Sequence, residues 1–368
     1  MTTKTNDDNH PWQLSPYDRR GGRSTVVARP GRPRAGRPPT PASGGSVTAL
    51  VRDPIPLPAG PRRRPPAAGA ASLALRPLLD PPRRAARVIA VFPSAVYLEM
   101  RGGPEPRVLA VVTSDAGRLP NAVVVVATRR EHPFRSVREG GDALVGEGRV
   151  EADGLSVRVR RWWDPSPALA VPHPAALARG VRALEAELAA AGVLAAGEPV
   201  RGGLDGHPDP GALAAACAAG DLAGAVEAAE RIVGLGPGLT PSGDDILCGV
   251  LVSLRLVGGA VRHGDAAVRL ADWLGAAVTA DAGTRTTALA ATLLHCAAAG
   301  GAGAEVAAVL RFVAGHEPPG GAGQGAVRRL LSIGHTSGTD LAHGVLAGCR
   351  AALALTAPDV VDVPRVPA

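Results

Sequence analysis

The chain has 368 residues, of which 46% are hydrophobic and only 2% aromatic. This length allows two structured units with a buried core, and the scarcity of aromatic residues favours helices packed through small side chains over an aromatic-rich sandwich. The net charge of +7 would suggest nucleic acid as a partner. However, residues 1–87 contain 16 Lys and Arg against 5 Asp and Glu, so the rest of the chain is acidic.

Residues 1–85 hold 16 of the 35 prolines together with arginine-rich runs, a composition typical of a disordered basic tail. A solvated leader and a basic arm for nucleic acid or acidic lipid are the two interpretations. No aromatic residues alternate with the arginines as single-strand binding requires, so nucleic acid is not the expected partner. Neither a secretory signal nor a membrane span is evident, and we expect a cytoplasmic protein without a membrane anchor.

Residues 86–168 form a β-rich domain in this interpretation, because β-branched runs alternate there with Gly, Pro and Asp. The run at 123–126 is four valines and predicts a strand covered on both faces. From Ser156 apolar and polar residues alternate, which predicts a strand with one face in water.

Residues 169–357 show helical periodicity, and residues 358–368 form a C-terminal tail. The first helix is expected to begin at Pro174 and to end before Gly192. The fold class is therefore α+β: a small N-terminal β-rich domain followed by an α-helical bundle, preceded by the disordered tail. Four widely spaced cysteines are expected in the core rather than in a zinc site: Cys217, Cys248, Cys296 and Cys349.

The segment GLGPGLTPSGDD, residues 234–245, precedes an apolar helix. Gly236 and Gly238 permit positive φ, and Thr240 or Ser242 can cap the helix. Together with Gly243, they predict an anion-binding site at a helix N-terminus, where N–H groups and the helix dipole favour phosphate or carboxylate.

Two acids, Asp244 and Asp245, follow this loop directly and would repel an anion unless a cation intervenes. Mg²⁺ binds through one or two carboxylates plus substrate phosphate oxygens, so Mg²⁺ is the candidate cofactor, with Asp244, Asp245 and Asp340 as candidate ligands. The alternative is an elaborate helix cap carrying two first-turn acids.

A second segment, SIGHTSGTDLAHGVLAGCR, matches the first at a constant offset of 95 residues. The matched residues include Ser242 with Ser337, Gly243 with Gly338, Asp245 with Asp340 and Gly249 with Gly344. In each copy the Asp precedes a Gly by four residues, so both lie on one helix face and the Gly allows another backbone to approach.

We therefore predict that the two helices cross at these glycines. Asp245 and Asp340 would then form a paired catalytic carboxylate site, with Ser337 and Gly338 contributing to anion binding. The alternative is that both acids lie at separate, solvated helix ends. Between the two motifs, Thr284 can cap a helix and Arg285 is the candidate anion clamp, because a guanidinium binds carboxylate or phosphate through paired donors.

Three segments, GLGPGLTPSGDDIL, RTTALAATLLHCAAAG and LLSIGHTSGTDLAHGVLAG, resemble in this order the AllH-like family of oxamate carbamoyltransferase subunits. RLPNAVVV and PFRSVREGGDALV are weaker similarities to the family's N-terminal domain. The resemblance implies a component of a multi-subunit carbamoyltransferase in allantoin and purine-nitrogen breakdown. Such an enzyme interconverts oxalurate plus phosphate with oxamate plus carbamoyl phosphate. The implied partners are a small anionic substrate and the other carbamoyltransferase subunits.

Two other functions fit the same residues. In the first of these functions, the chain is a non-catalytic structural or regulatory subunit whose motifs organise an interface where helices cross. In the other, it is a stand-alone Mg²⁺-dependent hydrolase of a phosphorylated or ribosylated substrate.

Overall fold

The computed structural model describes residues 65–103, 105–170, 173–195, 201–316 and 322–356. Most of the predicted basic tail and the whole predicted C-terminal tail, residues 358–368, lie outside these ranges. The described residues belong to one compact unit, in which the β-rich part and the helical part pack together.

Eight strands form the β-rich part: β1 (Ala67–Ser72), β2 (Arg84–Val91), β3 (Ala95–Met100), β4 (Val108–Val112), β5 (Ala122–Val125), β6 (Asp142–Gly146), β7 (Arg149–Ala152) and β8 (Leu155–Trp163). They close into a barrel in the order β1-β5-β4-β3-β2-β6-β7-β8. The β1–β8 and β4–β5 pairs are parallel and the others antiparallel. Apolar side chains, among them Val88, Leu98 and Leu109, fill the interior.

The barrel begins earlier than the sequence predicted, because β1 and the short helix α1 (Arg76–Leu79) lie within residues 1–85. Strand β1 has the sequence AAGAAS, which carries no β-branched residue and so gives no strand signal by itself. Its pairing with β5 and β8 closes the barrel and holds it extended. The valine run at 123–126 is buried at Val123 and Val125, but Val126 is 81% exposed beyond the strand end.

Ten further helices lie among the described residues of the helical part: α2 (Pro174–Ala190), α3 (Pro208–Ala219), α4 (Leu222–Ile232), α5 (Ser242–Ala260), α6 (Asp265–Ala280), α7 (Ala282–Arg285), α8 (Ala288–Ala298), α9 (Ala304–Val313), α10 (Ala322–Leu331) and α11 (Ser337–Ala354). A β-rich N-terminal part followed by helices is therefore confirmed. Helix α2 begins at Pro174, as predicted, and Gly192 follows its end with a φ of +74°.

Helix α5 lies at the centre of the helical part and packs against α6, α8 and α11. It is buried on nearly every side, which explains why most of its residues after Asp245 are apolar. The four cysteines are buried free thiols, as expected from their apolar surroundings.

The barrel and the helices are joined by a buried hydrogen-bonded contact between α8 and the start of β4. The hydroxyl of Thr292 accepts hydrogen bonds from the backbone N–H groups of Arg107 and Val108, at 3.2 and 3.0 Å, and donates to Glu105 at 2.8 Å. Within the described ranges, none of the helices has the length and apolar character that crossing a membrane requires.

Candidate functional site

Helices α5 and α11 cross at Gly249 and Gly344, as the repeated motif predicted. A Cβ at Gly249 would lie 2.6 Å from the carbonyl oxygen of Leu341, and one at Gly344 would overlap the carbonyl oxygen of Ile246. Each glycine therefore contacts the backbone of the opposite helix, so the two motifs meet in one place. The alternative of two separate, solvated helix ends is wrong.

The two helix starts are built alike. A Cβ at Gly243 would overlap the carbonyl oxygen of Ile232 at the end of α4, and one at Gly338 would overlap that of Leu330 in α10. The N–H of Gly243 donates to Leu235 O at 2.9 Å, and that of Gly338 donates to Ile333 O at 3.0 Å. The repeat in sequence is thus a repeat in structure, with each motif seated against the end of a preceding helix.

Asp245 is 4% exposed, and its Oδ2 atom has no hydrogen-bond partner in the described part of the chain. Burial raises the pKa of Asp245 to about 8; the carboxylates of Asp340 and Asp244 add to the increase, while the hydroxyls of Ser337 and Thr240 oppose it. Asp245 is therefore predominantly a neutral carboxylic acid at pH 7. The hydroxyl groups of Thr240 and Ser337, one from each motif, lie 3.1 Å apart.

Asp340 is 1% exposed and is bound by a backbone amide of the same chain. Its Oδ1 accepts a hydrogen bond of 2.8 Å from the backbone N–H of Gly203, whereas its Oδ2 is unpartnered within the described residues. Side chains at 202 and 203 are excluded, because a Cβ at Gly202 would overlap Oδ1 of Asp340 and one at Gly203 would overlap Oγ of Ser242. Neither glycine was among the predicted site residues, although two adjacent glycines at 202–203 are a sequence signal for close backbone approach.

Asp244 does not share the site of the other two acids. Its Oδ1 accepts from the N–H of Gly234 at 2.9 Å, and its Oδ2 accepts from the hydroxyl of Thr286. Burial raises the pKa of Asp244, and these hydrogen bonds counteract the rise. Through these hydrogen bonds, Asp244 connects the loop that precedes α5 to the segment before α8. No three His, Cys, Asp or Glu side chains in the described ranges are grouped to hold a metal ion, which corrects the predicted ligand set of Asp244, Asp245 and Asp340.

The start of α5 differs from the predicted anion site in how its donors are used. Gly236 and Gly238 adopt positive φ, +119° and +95°, as expected. However, neither Thr240 nor Ser242 caps the helix through its side chain. The N–H groups of Asp244 and Asp245 bind the carbonyl oxygen of Pro241, so the protein's own carbonyls already occupy much of the first turn.

Arg285, the candidate anion clamp, is engaged by groups of the protein. Its guanidinium donates to the carbonyl oxygen of Glu230 near the end of α4, and it lies 3.7 Å from the carboxylate of Asp281. It ends the short helix α7 rather than beginning a longer one, and Thr287, not Thr284, caps the next helix. These contacts give Arg285 a structural role between α4 and α7.

A cavity of about 350 Å³ lies between the barrel and the helices, beside Asp245. Its lining is mostly apolar and includes Tyr97, Leu119, Leu239, Cys248, Leu293 and Val306. The lining side chains that carry polar groups are Asp245, Thr240, Ser337, Glu305, Tyr97 and Cys248, and the described lining contains no Lys, Arg or His. Sequence reasoning missed this cavity, because barrel and helix residues far apart in the chain form it together.

Residues 232–349, about a third of the chain, match the family model described as oxamate carbamoyltransferase subunit AllH. The matched region begins at the end of α4 and contains both motifs and the whole helix crossing. No curated protein and no solved structure matches the chain. The match confirms the resemblance found in the sequence, and residues 232–349 are similar to AllH.

Proposed function

We propose that this protein is a subunit of an oxamate carbamoyltransferase and that Asp245 and Asp340, at the crossing of α5 and α11, form its reaction centre. The observation that carries the proposal is that the region matching the AllH model is the region in which the two motifs converge. Buried acids with unpartnered oxygen atoms are costly to the fold, so their retention at this crossing supports a functional role.

The proposed reaction requires a proton at a defined place. When phosphate attacks the carbamoyl carbon of oxalurate, the bond from that carbon to the oxamate nitrogen breaks, and the departing nitrogen must take up a proton. Because burial raises the pKa of Asp245 to about 8, this group holds a proton at pH 7 and can donate it. The proton lost by the attacking hydrogen phosphate then restores the acid.

The negative charge of the substrates is not balanced by the described lining of the cavity, which has no basic side chain. We propose that a partner subunit supplies the balancing cation and that the anion approaches along the exposed part of the loop at Pro237 and Gly238.

A non-catalytic role in the same complex is the second candidate function. It is favoured by one observation: the first-turn N–H groups of α5 and the guanidinium of Arg285 are already bound within the protein. In that case the motifs would serve to position partner subunits, and Trp273 on α6, 65% exposed, would be a natural contact residue.

The test is transferase activity of the complex reconstituted with its partner subunits, measured as oxalurate formed from carbamoyl phosphate and oxamate. We expect Asp245→Asn and Asp340→Asn each to lower turnover by about 100-fold or more, the usual range for removal of a positioned acid or base. The matched control is Asp265→Asn, since Asp265 is an exposed first-turn acid of α6. Full activity of both site variants would contradict the catalytic proposal and leave the structural role.

A further inference from the structure

The outer surface of strands β7 and β8 carries a group of four arginines, which we call the arginine face: Arg149, Arg158, Arg160 and Arg161. Arg149 is partly exposed, and the other three are exposed. None of the four side chains forms an ion pair or a hydrogen bond with any described residue. The arginine face is therefore a concentration of positive charge that the described part of the chain does not neutralise.

The pairing of β7 with β8 places two of these charges side by side. Arg149 lies directly opposite Arg158 in the antiparallel register, so both side chains leave the sheet on the same face. Like charges in directly opposite positions destabilise a sheet. The acid next to them on β7, Glu151, is bound by Arg83 at 3.3 Å. The repulsion between Arg149 and Arg158 thus has no compensating partner within the described residues.

A β-bulge adds the other two arginines to the same face. The register between β1 and β8 shifts after Gly69, which leaves Arg160 as an extra residue of β8 before Arg161. Such a bulge changes the direction of a side chain, and here two consecutive residues, Arg160 and Arg161, are both exposed. A regular strand would have directed one of them towards the barrel interior.

The neighbouring strand leaves the arginine face uncovered. On β1, Ala68 lies opposite Arg158 and Ala70 lies opposite Arg161. Neither alanine has a side chain beyond Cβ, so nothing from β1 covers the guanidinium groups on this side. The surface is therefore a shallow floor of small residues next to a row of positive charges.

We propose that the arginine face is a docking site for a run of aspartate and glutamate residues in a partner protein. The guanidinium fork matches the two oxygens of a carboxylate, so exposed arginines without partners fit such a run. The acidic segment lies over the alanines of β1 and neutralises the repulsion between Arg149 and Arg158. All eight strands have two neighbours in the closed barrel, so side chains rather than a free strand edge make the contact.

Nucleic acid fits this face less well than an acidic protein segment. Single strands are held by aromatic rings on which bases stack, in addition to basic groups. The two tryptophans at the end of β8 are only partly exposed, and each already has an arginine over its ring: Arg76 at 4.7 Å from the centroid of Trp162 and Arg118 at 5.8 Å from that of Trp163. The exposed aromatic residues of the described ranges, Phe92 and Trp273, lie outside β1, β7 and β8.

The N-terminal part of the chain is not the proposed occupant. Residues 1–87 contain 16 Lys and Arg against 5 Asp and Glu, so their charge has the same sign as the arginine face. The acidic segment is therefore assigned to another protein. The inference goes beyond the proposed transferase function and does not depend on it.

The test measures binding of two labelled probes of equal charge to the full-length chain: octaglutamate and an oligothymidylate with eight phosphodiester groups. Fluorescence anisotropy at pH 7 and 50 mM NaCl gives the dissociation constants. We expect octaglutamate to bind more tightly than the oligothymidylate. Tighter binding of the oligothymidylate would overturn the proposal and indicate a nucleic-acid surface.

Two charge-matched variants locate the binding. Replacing all four arginines of the arginine face by Gln should weaken octaglutamate binding at least about tenfold, from the loss of several ion pairs. The control replaces four exposed arginines without partners in the described ranges, each from a different element or loop: Arg130, Arg182, Arg262 and Arg311. Its effect should be less than about twofold. Equal losses in the two variants would show non-specific attraction and overturn the proposal.

A photo-crosslink identifies the contact in the unaltered protein, in which residues 1–87 also attract anions. Octaglutamate carrying a benzophenone is irradiated with the full-length chain, and the modified residues are identified by mass spectrometry. We expect adducts within β1 and β8. Adducts confined to residues 1–64 would overturn the proposal, whether or not the variants are folded.

Discussion

Asp245 and Asp340 occupy equivalent positions in two copies of one motif, yet one faces a cavity and the other a peptide group of the same chain. Both are almost completely buried, both begin a long helix, and both precede a glycine at the crossing of α5 and α11. The difference arises outside the motifs, from the Gly202–Gly203 turn on one side and the barrel wall on the other. The same motif thus has a different environment in each copy, depending on which part of the chain packs against it.

The first prediction concerns the crossing of α5 and α11, to which both copies of the motif contribute. Replacing Gly344 by Ala places a Cβ on the carbonyl oxygen of Ile246, a backbone atom that cannot move aside cheaply. We expect the free energy of unfolding to fall by about 3 kcal/mol or more. Urea denaturation followed by circular dichroism measures this change.

The matched control is Gly211→Ala. Gly211 lies within α3, and no heavy atom lies within 4 Å of the Cβ that would be added there. This substitution should stabilise the protein by about 0.5–1 kcal/mol, because alanine is the better helix former. Similar effects of the two substitutions would contradict a close crossing at Gly344.

The second prediction tests the difference between the two acids through the pH dependence of the free energy of unfolding. Burial raises the pKa of Asp245 from 3.8 to about 8, so between these values the folded state binds a proton that the unfolded state releases. This contribution to stability is complete below pH 4 and is lost as the pH rises to 8, at up to about 1.4 kcal/mol per pH unit.

The Asp245→Asn variant lacks this proton. Its stability relative to the wild type should therefore rise with pH over the same interval. Urea denaturation of both proteins at pH 5, 6, 7 and 8 gives the difference, in which the titration of groups that do not interact with Asp245 cancels. A constant difference across the four values would show that the pKa of Asp245 is not raised in the folded state.

The third prediction concerns the contact that links the two copies. Thr240→Val removes a hydroxyl 3.1 Å from that of Ser337 while preserving the shape of the side chain. We expect a loss of about 0.5–1.5 kcal/mol in stability at pH 9, where Asp245 is ionised, together with a higher pKa of Asp245.

Thr279→Val is the control for this change. The hydroxyl of Thr279 donates only to the carbonyl oxygen of Gly275 one helical turn before it, at 2.7 Å, and α6 lies outside the cavity lining. Its removal should leave the pKa of Asp245 unchanged. Carboxyl-detected NMR titration distinguishes the variants, and an equal shift in both would exclude a specific effect of Thr240.

The repeat and its geometric consequence follow from residue identity alone. Residue identity at a constant offset, with Asp four positions before Gly, predicted that two helices cross, and the contacts of Gly249 and Gly344 confirm the crossing. This succeeded because helix periodicity fixes which residues share a face, and glycine is required wherever another backbone contacts that face. The order of a β-rich part before a helical part was predictable for the same reason, since local periodicity distinguishes strand from helix.

The contacts of each motif residue, in contrast, depend on how distant segments pack together. The direction of Asp244 depends on Thr286, the engagement of Arg285 depends on Glu230, and the enclosure of Asp340 depends on Gly203; all three partners are distant in the chain. Strand β1 likewise has no strand signal of its own and is held by barrel closure. Burial and hydrogen bonding depend on neighbours that the local sequence does not specify. A motif therefore predicts where helices meet, but not which of its acids lies beside a cavity.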